Sequence, residues 1–290
     1  MNNTSNDQLR RFIFDNSDIR GEIVTLKQSM HDAFSHQHYP ATINKLLGEF
    51  LTATSLLSRT LKFEGIMTLQ ARGDGDLSLI MAEINHQKKI RCVAQIKNEA
   101  GLDARSLTSL LGKGVLSITI DPNKGKRYQG IVALDADTLA ECLEDYFMQS
   151  EQLPTKIWLC SSDDTASGLL LQRLPQQVAS AEENNEMWET QAQLANTVST
   201  EEMLTLEHTT LLTRLFHESG VRVFDAEHIV FGCSCSQERS NQTLKPLGEE
   251  SLQQMIKEEG RIVVDCHFCG FQYIYKAANV RELFSANTQH

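Results

Sequence analysis

Four cysteines near the C-terminus constrain this chain more than any other feature. They read Cys233-Ser234-Cys235 and, after 30 intervening residues, Cys266-His267-Phe268-Cys269. Two tight thiol pairs brought together form a tetrahedral four-sulfur site, the donor set that zinc prefers. The pattern is not a pair of C-x-x-C arms: the first arm is C-x-C and the gap is long. Gly270 follows the second pair, where a knuckle must turn. His267 competes as a ligand only on paper, because Cys266 and Cys269 already fill that knuckle. Four protein sulfurs leave no open coordination position, so hydrolytic metal chemistry is not expected.

Residues 231–290 carry few apolar side chains and make a poor core, so a bound metal would help the module fold. Structural zinc in a unit of this size is worth on the order of 10 kcal/mol and is coupled to folding. Zinc thiolates are nucleophilic, and oxidants can carry them to disulfide. A C-x-x-C pair closes a disulfide readily, whereas a bond between residues two apart would be strained and easily reduced. The cluster is therefore either a static staple or a redox trigger.

The 290 residues carry a net charge of −11, which argues against phosphate-backbone binding as the main activity. Seven cysteines, an odd number, suit a reducing cytoplasm better than a secreted disulfide scaffold. Cys92, Cys142 and Cys160 lie among apolar residues and read as core thiols. Met1 to Asp7 is polar and lacks the apolar run of a signal peptide, and no stretch reaches membrane-spanning length. A cytoplasmic protein without membrane or nucleic-acid partners is expected.

Residues 1–177 read as one mixed α/β domain. Strands are expected at 11–14, 22–26, 63–72, 77–84, 90–96, 115–121, 127–134, 157–160 and 168–174, with a hairpin turn at Gly73-Asp74-Gly75-Asp76. A helix is expected from Ala41 to Lys62, and a second, capped by Asp135 or Asp137, running to about Ser150. Residues 178–230 form an acidic segment: no lysine or arginine occurs from Leu174 to Thr213. It reads as two helices. The first has a thin stripe of Met187, Gln191, Leu194 and Val198. The second opens with a Ser199–Glu202 capping box and carries Leu204, Leu211, Leu212, Leu215 and Phe216. Unpartnered like charges weaken such helices, so their order should depend on neighbours. Residues 231–290 read as a small module. It has a helix at 249–258 with Leu252, Met255 and Ile256 inward, strands at 261–265 and 271–275, and a last helix at 280–284.

Several further segments bear a family resemblance. Gln70-Ala71-Arg72-Gly73-Asp74-Gly75, Tyr128-Gln129-Gly130-Ile131-Val132, Glu151-Gln152-Leu153-Pro154-Thr155, Gly168 to Pro175, Phe216-His217-Glu218 and Phe231 to Ser236 occur in one order. Over nearly its whole length the chain resembles the 33 kDa chaperonins, redox-regulated heat-shock holdases. The resemblance implies an N-terminal α/β domain (1–177) for client binding and dimerisation, a helical linker (178–230) and a redox-sensing zinc domain (231–290). It implies one zinc ion on Cys233, Cys235, Cys266 and Cys269, and Cys233–Cys235 and Cys266–Cys269 disulfides on oxidation. The partners implied are unfolding proteins and, once oxidised, a second copy of the chain, with no ATP and no catalytic residues. Gly73, Gly75 and Gly130 serve turns and close packing.

Rival readings differ in testable ways. A thiol-disulfide oxidoreductase would set its C-x-x-C at a helix start, whereas strand follows Cys269 here. A nucleic-acid-binding ribbon would need a basic face, but residues 231–290 hold six Lys or Arg against seven Asp or Glu. Gly73-Asp74-Gly75 and Gly112-Lys113-Gly114 lack the P-loop pattern of a nucleotide-binding enzyme. A static zinc-stapled scaffold would share this sequence and differ only in its response to oxidant.

Overall fold

The computed structural model describes residues 6–61, 63–99, 102 and 106–285. Met1 to Ser5 and Lys62 therefore lie outside the described residues. The chain divides into two compact units, with the boundary between Gly232 and Cys233.

The first unit holds two sheets. One contains β1 (Gln8–Phe14), β2 (Ile19–Leu26), β8 (Thr155–Ser161) and β9 (Ala166–Arg173), extended by the short β10 (Val221–Val223) and β11 (Glu227–His228). Its order is β10-β1-β2-β9-β8, every pair antiparallel, with β11 also on β1. The other contains β3 (Gly65–Gly73), β4 (Leu77–Asn85), β5 (Lys89–Ile96), β6 (Gly114–Pro122), β7 (Tyr128–Ala133) and β12 (Val230–Phe231). It runs β12-β5-β4-β3-β6-β7 and is antiparallel except for β12 on β5. The expected β3–β4 hairpin forms in continuous register from Ile66↔Asn85 to Arg72↔Leu79. Three glycines pack closely: a Cβ would fall 1.9 Å from the Leu111 carbonyl at Gly73, 2.4 Å from that of Leu110 at Gly75, and 2.4 Å from the Tyr146 ring at Gly130.

Among the helices α1 (Gln28–Phe34), α2 (Ala41–Thr60), α3 (Leu107–Leu111) and α4 (Leu139–Tyr146), α2 organises the main core. Its Leu46, Leu47, Phe50, Leu51, Leu56 and Leu57 are buried. Its buried hydroxyls are satisfied locally, as when Thr54 donates to Phe50 O at 2.6 Å and Ser55 to Leu51 O at 2.7 Å. The cap expected for α4 is corrected. Thr138, not Asp135 or Asp137, is the N-cap, because it closes a reciprocal capping box with Glu141. Asp137 is engaged elsewhere, accepting from Thr108 Oγ1 at 2.8 Å. The α-helical part of α4 ends at Tyr146 and continues as a π-helix over Phe147–Glu151, so the helical stretch reaches the expected end near Ser150.

The acidic segment forms three helices rather than two: α5 (Ala181–Ala195), α6 (Thr200–Thr205) and α7 (His208–Phe216). The expected second helix breaks because Leu206 is extended and the Glu207 carboxylate accepts from the Thr209 and Thr210 amides, starting a new helix. The buried side of α5 also differs from the expected stripe. Trp188, Gln191, Ala192 and Ala195 are buried, while Met187, Leu194 and Val198 are only partly so. These helices pack on Phe12, Phe14, Ile19, Ile23, Leu169 and Leu171. The alternate residues Leu9, Val24, Leu26 and Leu170 belong to the main core with α2. The strand period of two thus makes this sheet apolar on both faces, and each face is covered. Asp18 anchors the entrance: its buried carboxylate accepts from the Gln177, Val178 and Ala179 amides and from Asn184 Nδ2. Beyond α7 the chain pairs with β1 through β10 and β11, then with β5 through β12, so residues 221–231 strap both sheets.

The second unit contains α8 (Gln237–Leu244), a 3-10 turn (Lys245–Leu247), α9 (Glu249–Glu259), β13 (Ile262–Asp265), β14 (Gln272–Tyr275) and α10 (Ala277–Ser285). No helix is expected at α8 from pattern, since only Ser240 and Leu244 of it are buried. β13 and β14 pair from Ile262↔Tyr275 to Asp265↔Gln272. Among the described residues its core comprises seven buried side chains: Leu244, Leu252, Ile256, Ile262, Tyr275, Val280 and Leu283. Met255, expected to point inward, is 38% exposed, because Leu252 and Ile256 alone face this small core. No helix among the described residues is long and apolar enough to cross a membrane.

Candidate metal centre

Two local structures deliver the four thiols. Cys233 and Cys235 lie in irregular chain just before α8, whose N-cap Ser236 accepts from the Arg239 amide. Arg239 returns a side-chain bond to Ser234 Oγ at 2.8 Å, bracing the backbone between the cysteines. Cys266 and Cys269 occupy the turn joining β13 to β14. The Cys266 amide donates to Phe271 O at 2.9 Å, and the Gly270 amide donates to Cys266 O at 2.8 Å. Closing this turn needs the left-handed backbone of Gly270 (φ 67°), which explains glycine at that position.

The four sulfur atoms lie within 4.8 Å of one another and form a group that could hold a metal ion. Two separations between the arms, Cys233–Cys266 and Cys235–Cys269, are both 3.5 Å. A tetrahedral ion with metal–sulfur bonds near 2.3 Å sets its sulfurs about 3.8 Å apart, so the donor set fits zinc in number, chemistry and spacing. His267 is exposed and stands outside the group.

Electrostatics also favour a cation here. Burial pushes the Cys269 thiol above the ordinary range, and the neighbouring thiols add to this against a bond from the Phe271 amide. Burial likewise raises Cys266, opposed by bonds from the Phe268 and Cys269 amides. Four crowded thiols resist becoming thiolates unless a positive charge joins them. The amides that donate to sulfur are the support a metal-bound thiolate uses. Sequence reading missed Tyr273, whose hydroxyl hydrogen-bonds the Cys235 thiol, and Arg239. Neither carries a recognisable spacing.

The other thiols behave differently. Cys92, Cys142 and Cys160 are buried, as expected. Burial pushes Cys160 up to about 12 and raises Cys92 and Cys142, which makes all three poor nucleophiles.

Comparison with known proteins agrees with this architecture. The family model described as Hsp33 protein matches residues 7–276. A 33 kDa chaperonin from Ectopseudomonas mendocina is 46% identical over 283 residues, covering 97% of this chain and 96% of that protein. One from Shewanella loihica is 45% identical over 280 residues, covering 97% and 96%. The crystal structure of a 33 kDa chaperonin (heat shock protein 33 homolog) from Thermotoga maritima superposes with a TM-score of 0.82. That match covers 97% of this chain and 98% of the other at 23% identity, so it speaks for the fold. The chain belongs to the Hsp33 family of 33 kDa chaperonins.

Proposed function

We propose that this protein is a redox-controlled, ATP-independent holdase of the cytoplasm rather than an enzyme. Reduced Cys233, Cys235, Cys266 and Cys269 hold one zinc ion. The observation that carries the reading is their convergence within 4.8 Å in a unit with a core of only seven buried side chains. Such a core is too small to stand without a staple, so chemistry at the thiols governs whether the unit is folded.

Oxidation by peroxide links Cys233 to Cys235 and Cys266 to Cys269. Forming each disulfide removes two electrons from two thiolates; one hydrogen peroxide per disulfide accepts them and, with two protons, becomes two waters. Zinc loses its ligands and residues 231–290 lose their order. Residues 178–230 act as the linker and then loosen from residues 1–177. The apolar face of Phe12, Phe14, Ile19, Ile23, Leu169 and Leu171, now under α5–α7, becomes available to unfolding proteins. The oxidised form pairs as a homodimer through residues 1–177, with neither nucleic acid nor membrane as a partner.

Light scattering from an unrelated protein unfolding with heat tests this. The protein pre-treated with peroxide at raised temperature should suppress aggregation, the reduced zinc-loaded form should not, and reductant should reverse the effect. Equal protection by both forms, or by neither, would refute the switch. Turnover of a small disulfide, lost in Cys266→Ser, would favour an oxidoreductase instead.

A further inference from the structure

A cleft of about 850 Å³ opens at the C-terminal end of α2, lined by residues of the first unit. The last carbonyls of a long helix carry partial negative charge and attract cations. Here they gather three. Arg11 Nη2 donates to Arg59 O at 2.7 Å, Arg20 Nη2 to Thr60 O at 3.3 Å, and Lys88 Nζ to Ser58 O at 3.4 Å. Arg59, from the same turn, adds a fourth.

Two carboxylates answer them directly. Glu22 is fully buried and accepts from Arg11 Nε at 2.9 Å. Glu227 pairs with Arg59 Nη1 at 2.7 Å and stands 3.2 Å from Lys88 Nζ. Glu64 is exposed and also lines the cleft, so among the described residues four cations face three acids; without Glu227 they would face two. The cations also press on one another. Burial, then the charge of Arg11, lowers Arg20; burial lowers Lys88, with Arg59 adding to it and Glu227 opposing.

Glu227 reaches the cleft from β11, a strand of two residues in the strap. The backbone around it is held, with the Ile229 amide donating to Asp7 O at 2.9 Å and the Val230 amide to Lys88 O at 3.1 Å, so it is the Glu227 side chain that can give way to a better anion. We propose that this cleft is a binding site for an oligophosphate anion, which takes Arg59 and Lys88 over from Glu227. A guanidinium fork and an ammonium suit phosphoryl oxygens, and the volume exceeds what one carboxylate fills. Several linked phosphoryl groups match the spread of cations better than a single charge. Free oligophosphates and nucleotides share this chemistry. The site is independent of the holdase reading.

The test is calorimetric titration of the full-length, reduced, zinc-loaded protein with tripolyphosphate and, separately, ATP, at low ionic strength. Glu227→Gln removes the competing acid and should tighten tripolyphosphate binding at least tenfold. Arg59→Ala and Lys88→Ala should each weaken it at least tenfold, and circular dichroism identifies any variant that fails to fold, leaving the other to decide. Saturation should also speed hydrogen exchange at residues 227–231 as Glu227 is displaced. Comparable binding of ATP would mean that the phosphoryl chain alone is read; weaker ATP binding would mark free oligophosphate as the ligand. The proposal is overturned if Glu227→Gln binds no tighter than the parent, or if the folded cation variants bind unchanged.

Discussion

Phe216→Ala tests the idea that α5–α7 form a layer that can leave the sheet beneath it. The Phe216 ring is 1% exposed and sits against two partners, stacked on Phe12 at 6.0 Å and edge-on to Phe14 at 5.1 Å. Truncating such a ring costs about 3–5 kcal/mol in lost transfer energy and residual cavity. At 1.4 kcal/mol per decade, opening of α7 should become roughly a hundred to several thousand times more frequent. Hydrogen exchange resolves this locally, because α7 and α2 report on different clusters. Amides of Leu211 to Phe216 should exchange faster by that factor, while those of Leu46 to Leu57 change little. Both tryptophans of the chain sit at this interface: Trp188 is buried, and Trp158 donates to Asn196 Oδ1 at 3.0 Å. Their emission should shift to the red as the layer opens. Under the holdase reading, the reduced variant should also suppress some aggregation without oxidant. An equal rise in exchange at α2 and α7 would refute the reasoning, because the helices would then unfold only with the whole unit. A rise below tenfold at α7 would also refute it, showing that Phe216 does not hold the layer.

Acid should loosen the same layer. Buried His208 bonds Thr25 Oγ1 at 3.0 Å through Nε2, and burial pushes it down to about 4, with Arg10 adding and Glu207 opposing. A released His208 takes up its proton near pH 6.5, so the open form binds more protons between about pH 6.5 and 4 and docking weakens as pH falls. At pH 5 the loss is about 2 kcal/mol, readable as faster α7 exchange after correction for intrinsic rates; unchanged protection would contradict it. Metal removal is the second check. A chelator with a thiol-reactive mercurial should abolish amide protection across β13, β14 and α9. Persistence of that protection would mean that the seven-residue core suffices alone.

The sequence by itself determined the chemistry. Two thiol pairs at close spacing dictated a four-sulfur site wherever the chain carried them, because zinc-type ligation is written in residue identity. Period-two and helical patterns located the longer strands and α2, since each element shows its apolar side locally. Periodicity says which side is apolar but not what covers it. Only the tertiary structure decided that both faces of the β1–β2–β9 sheet are buried, one of them under acidic helices in which the buried Trp188 lies beside the expected stripe. It alone formed β10, β11 and β12. Strands of two or three residues exist by pairing with an edge and leave no local signal. It alone drew Arg11, Arg20 and Lys88 from distant parts of the chain to the end of α2, beside Arg59 of its last turn, because the partial charge that collects them belongs to the folded helix.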